Sequence, residues 1–131
     1  MKHKGFTLIE VMIAVTIVGI LLAIAIPNYS EHVKRSARTE AITALLDIAN
    51  KLEQYYVDNH QYTAILADIG VQSTTTETGL YSLEIKTTNS NSKFTVKATP
   101  ISGIALQDTT CTSFTIADTS EKTFTGAGPC W

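Results

Sequence analysis

From Phe6 to Ile26 the chain is apolar except for Thr7, Glu10 and Thr16, with Gly19 near the middle. At a rise of about 1.5 Å per residue the segment spans roughly 32 Å, the thickness of a bilayer core. It is hydrophobic on every side, and a chain of 131 residues is too small to hide it in a soluble core. The pattern predicts a membrane-inserted helix. Pro27 closes the run, and the periodicity then becomes one-sided. Tyr29, Val33, Ala37, Ala41, Leu45, Ile48, Leu52 and Tyr55 recur at spacings of three and four, while Glu31, Lys34, Arg35, Arg38, Asp47, Lys51 and Glu53 mostly fill the other face. One helix from about Phe6 to about Asn59 follows, kinked at Pro27 but not broken there.

Beyond His60 the helical period dissolves. Leu66–Gly70 predicts a turn of helix ending at Gly70, and Ser73–Thr78 a polar loop. Strict alternation then places Tyr81, Leu83 and Ile85 on one face of a strand and Phe94, Val96 and Ala98 on one face of another. Asn89–Ser92 supplies the turn between them. Residues 113–117 and 122–125 form a second hairpin around Asp118–Glu121. The predicted architecture is α+β: a long N-terminal helix packed on a small antiparallel sheet, with no internal repeat.

Charge and cysteines narrow the picture. Lys2 and Lys4 precede the apolar segment, and Lys34 and Arg35 follow at a distance, so the positive-inside rule places the short leader in the cytoplasm. A cut before Phe6 would remove Lys2 and Lys4 and move the formal charge from −2 to −4, and no block of basic residues stands out. Lys86, Lys93, Lys97 and Lys122 are the only candidates for a basic stripe. Glu84, Asp118 and Glu121 dilute them, which argues against a nucleic-acid partner. Cys111 and Cys130 in an exported domain read as a disulfide closing a loop of about 20 residues, contributing on the order of 3 kcal/mol, or else as two free thiols. The histidines lie too far from the cysteines for a metal site. There is no Ser/His/Asp grouping and no glycine-rich phosphate loop, so an enzyme is not indicated. No cofactor is implied.

Glu10 is the sharpest chemical signal. A carboxylate within a lipid-facing helix is costly and demands a partner. No basic residue between Phe6 and Ser30 supplies one. The stretch Gly5-Phe6-Thr7-Leu8-Ile9-Glu10 strongly resembles the prepilin processing motif of type IV pilins. Pro27, the long helix, the sheet and the region bounded by Cys111 and Cys130 match the same family. Arg38-Thr39-Glu40-Ala41, Glu53-Gln54-Tyr55-Tyr56, Tyr62-Thr63, Ala98-Thr99-Pro100, Gln107-Asp108 and Cys130-Trp131 look like its minor-pilin branch often called PilE-type in pseudomonad-like systems.

The resemblance implies a structural subunit without chemistry of its own. A membrane prepilin peptidase would cut between Gly5 and Phe6 and methylate the new amine of Phe6. Glu10 would then pair with the Phe6 amine of a neighbouring subunit. The implied parts are a leader of residues 1–5, a membrane and assembly helix of residues 6–27 and a globular domain of residues 28–131. The subunit waits as a single-pass protein of the bacterial inner membrane, meets the pilus assembly platform, and ends in an extracellular pilus among other pilins. A minor subunit that initiates or caps assembly is the reading favoured. A major shaft pilin, a type II secretion pseudopilin and a DNA-receptor pilin for natural transformation remain as alternatives. The pseudopilin alternative is weakened because Asp118-Thr119-Ser120-Glu121 offers two carboxylates where a calcium loop wants more.

Overall fold

The structure, a computed structural model, describes residues 5–131, so Met1–Lys4 of the expected leader lie outside the described residues. The chain divides into two compact units, Met1–Val33 and Lys34–Trp131. One helix, α1, runs through both from Leu8 to Asn59 and passes Pro27 without interruption. It begins two residues later than expected, because Thr7 takes the capping position rather than a helical one.

The first unit is helical from Leu8 onward. Its best 18-residue window has a mean hydropathy of 2.8 with none of it buried, so the helix is long and apolar enough to cross a membrane. The hydroxyl of Thr16, which would be costly in hydrocarbon, donates to the Met12 carbonyl at 2.7 Å and is satisfied within the helix.

In the second unit the amphipathic stripe of α1 is the floor of the core. Ala37, Ala41, Leu45, Ile48, Ala49 and Leu52 are buried there. Tyr29, expected at the head of that stripe, is exposed in the first unit instead. The roof is a four-stranded antiparallel sheet in simple sequential order: β1 Tyr81–Thr88, β2 Lys93–Pro100, β3 Cys111–Ala117 and β4 Lys122–Gly126. Alternation works as predicted: Tyr81, Leu83 and Ile85 on β1 and Phe94, Val96 and Ala98 on β2 all face the core. The β1–β2 ladder runs past the apolar residues to Thr88 opposite Lys93, so both strands are longer than their hydrophobic pattern. Three consecutive left-handed residues, Asn89, Ser90 and Asn91, make the turn. Its tip is anchored where the Tyr62 N–H donates to the Asn91 carbonyl at 2.8 Å.

Two short elements complete the unit. A 3-10 turn, Leu66–Ile69, ends at Gly70 in the left-handed conformation, as the sequence pattern requires. A single helical turn, α2 at Gly103–Leu106, lies between β2 and β3 where no element was expected. Aromatic rings close the end of α1 on the sheet: Tyr56 stacks on Tyr62 at 4.6 Å, and Tyr62 meets Phe94 edge-on at 4.8 Å. Burial and the Glu53 carboxylate beside it push the Tyr62 hydroxyl up to about 12.

Candidate functional site

The start of α1 carries the residues singled out for processing and assembly. Gly5 is exposed with open space where a Cβ would stand, and Phe6 is 89% exposed. Glu10, on the first turn, reaches back to Thr7. The Thr7 N–H and hydroxyl both donate to Glu10 Oε2, at 2.9 and 2.8 Å, and the Glu10 N–H donates to the Thr7 hydroxyl at 3.3 Å. This is a reciprocal capping box, Thr-x-x-Glu, which satisfies helix-end donors and carboxylate together. The sequence reading sought a basic partner for Glu10 and missed this neutral one, although the four-residue signature was present. Just above it, Ile9, Met12, Ile13, Thr16 and Ile17 line a shallow, almost wholly apolar groove of about 220 Å³ on the helix surface.

In the second unit Cys111 and Cys130 form a disulfide, with Cα atoms 5.8 Å apart. The start of β3 is held by a buried ion pair as well. Asp108, 2% exposed, accepts from Arg38 Nη2 at 2.9 Å and from Arg38 Nε, and its Oδ1 also takes the backbone N–H groups of Thr110 and Cys111. Burial raises the proton affinity of this carboxyl, but the Arg38 and backbone hydrogen bonds outweigh it and hold its pKa below the ordinary value. Two residues along α1, Glu40 accepts from the Thr78 N–H at 3.0 Å and hydroxyl at 2.7 Å. Partial burial works against its charge, and the Thr78 and Thr76 donors prevail, so its pKa also falls. One helical segment thus grips the loop before β1 with an anion and the loop before β3 with a cation.

The four lysines considered as a basic stripe do not form one. Lys86 and Lys97 share the outer face of the sheet with Glu84, which lies 3.5 Å from Lys86 and directly opposite Lys97. Lys93 stands at the hairpin end of the same face. Lys122 is registered with inward-facing Ile116, and its ammonium sits 5.2 Å over the Trp131 ring. The Asp118–Glu121 segment makes a tight hairpin turn, with the Ser120 N–H donating to the Ala117 carbonyl at 2.9 Å and Ser120 in the left-handed conformation. His60 follows the end of α1, its N–H donating to the Tyr56 carbonyl, which is a helix-stop role.

Comparison with known proteins identifies this arrangement. Residues 1–26 match the family profile described as "Prokaryotic N-terminal methylation motif", and residues 27–115 match one described as "Type IV minor pilin ComP, DNA uptake sequence receptor". Similar proteins include the fimbrial protein of Neisseria meningitidis, 38% identical over 86 residues, which are 64% of this chain and 51% of that protein. Type II secretion system core protein G of Escherichia coli is 33% identical over 61 residues, which are 47% of this chain and 42% of that protein. The chain spans about half the length of these curated relatives. A type IV pilin structure from Shewanella oneidensis shares the fold at a TM-score of 0.56 and 22% identity, covering 75% of this chain and 97% of that one. The chain belongs to the type IV pilin family.

Proposed function

We propose that this chain is a minor subunit of a type IV pilus, made as a membrane-anchored precursor and incorporated into an extracellular filament. The observation that carries the reading is the match of residues 27–115 to a family described as minor pilins. In this reading residues 1–5 are a leader, residues 6–27 the membrane and assembly helix, and residues 28–131 the globular domain. Prepilin peptidase cuts after Gly5, Phe6 is N-methylated, and the kink at Pro27 fits the helix into the packed core. Glu10 pairs with the Phe6 amine of the adjacent subunit, hiding both charges and fixing the axial register. The inner-membrane assembly platform is the partner that draws the subunit out. The methylation motif over residues 1–26 and the exposed apolar face of the first unit support this assignment.

The testing experiment is mass spectrometry of sheared surface filaments. A minor subunit appears far below the shaft pilin in abundance, and deleting its gene lowers the number of pili without changing what the remaining shafts are made of. Shafts composed mostly of this chain would make it a major pilin.

A second reading, a receptor for DNA, is favoured by the description of the same family profile. Lys86, Lys93 and Lys97, among Thr and Ser side chains on the outer sheet face, are the groups able to meet phosphates. Glu84, beside two of them, offsets that charge. DNA binding by the purified subunit that weakens steeply with salt, and further in Lys86→Ala with Lys97→Ala, would favour the receptor reading.

A further inference from the structure

We infer that Thr7 is the positioning residue for Glu10 in subunit assembly, holding one carboxylate oxygen and leaving the other for the amine of an adjacent subunit. The inference rests on the pairing role of Glu10 proposed above. Both Thr7 donors converge on Oε2 of Glu10, and among the described residues no donor reaches Oε1. An ionised carboxylate has about four lone-pair sites, so two remain unused. Thr7 and Glu10 both lie beyond the expected cut, and the Phe6–Thr7 amide is untouched by it, so the box persists in the mature chain.

The contrast with Thr16 gives the assignment its point. Thr16 turns its hydroxyl onto a backbone carbonyl of its own helix and is self-satisfied. Thr7 instead spends its hydroxyl and amide on a side chain that would otherwise rotate freely. A glutamate loses considerable rotamer freedom when fixed, and fixing it before the encounter removes that cost from the assembly step. The box also keeps the carboxylate at the positive end of the helix dipole, at the level where a parallel helix presents its own first residues.

Thr7→Val keeps the shape and removes the hydroxyl donor, Thr7→Ser keeps the donor, and Thr7→Asp keeps a good helix cap while replacing the hydroxyl donor with an anion. Each is compared with Glu10→Ala in cells carrying the native assembly system, by N-terminal mass, membrane level and incorporation into sheared filaments. Thr7→Val and Thr7→Asp are expected to be processed and stable yet to incorporate about tenfold less, the scale of one cap interaction, and Thr7→Ser to stay within about twofold of the unaltered chain. Normal incorporation of Thr7→Val or Thr7→Asp beside a defective Glu10→Ala overturns the positioning role and leaves the Glu10 pairing standing. Normal incorporation of Glu10→Ala removes the pairing itself.

Discussion

Asp108 shows how much one side chain can organise. Its two oxygens receive an arginine fork and two backbone amides, in a place where water cannot substitute for any of them. Disrupting such a buried, charge-assisted pair costs about 3 kcal/mol or more. Asp108→Asn is therefore expected to lower the denaturant midpoint substantially at neutral pH. The pH dependence has a definite sign. The folded-state pKa lies below the ordinary 3.8, so the pair's contribution is complete above that value and is lost as pH falls through the depressed one. The stability gap between the variant and the unaltered chain should be full at pH 7 and shrink progressively as pH is lowered below 3.8; a gap that stays undiminished down to the acid-unfolding limit would mean the charge is not the cause. Arg38 and Asp108 stand 70 residues apart, and nothing in either neighbourhood announces the other. Thr7 and Glu10, by contrast, are one turn apart and bear a readable signature. Glu10 lacks a cation within its own segment, and its partner is the neutral Thr7 three residues before it.

Elements whose burial repeats with a fixed period were legible, and those made by contact were not. The stripe from Ala37 to Leu52 and the inward faces of β1 and β2 follow directly from periods of 3.6 and 2. α2 has four residues, less than any period can reveal. β4 is exposed along its whole length, yet the Asp118–Glu121 turn and its partner strand were enough to place it, and the strand expected over 122–125 is Lys122–Gly126. β4 is also where the disulfide region meets the sheet. At Gly126, φ is +147° and a Cβ would stand 2.0 Å from the Thr110 carbonyl oxygen, a backbone atom that cannot move aside while the Ala127 N–H donates to it. At Gly128 the obstacle is the Thr110 methyl group, the end of a side chain. Gly126→Ala is thus expected to destabilise the domain by a few kcal/mol, well beyond Gly128→Ala, in thermal or urea unfolding. Cys111→Ser, opening a bridge between residues 19 apart, should cost about 3 kcal/mol in the same assay, and reduction should abolish most of the difference between it and the unaltered chain.

For the whole molecule, the decisive question is which side of the apolar segment is cut. An ordinary secretory signal is removed after its hydrophobic core, and the mature protein leaves the membrane. A cut between Gly5 and Phe6 does the reverse: it discards Lys2 and Lys4, keeps the helix of the first unit, and creates an amine four residues from Glu10. The segment has no buried residue in the single chain, so under the proposed reading its apolar surface is covered by lipid before assembly and by other helices after it. The sheet domain satisfies its pattern within itself, whereas the first helix is patterned for partners that one chain does not contain. The membrane form is therefore expected to begin at Phe6, to carry one added methyl group on its amine, and to resist extraction by salt and carbonate. Top-down mass spectrometry of membrane and filament fractions measures both features at once. A soluble chain beginning near Tyr29 would place the cut on the far side and remove both Glu10 and its proposed partner from the mature protein.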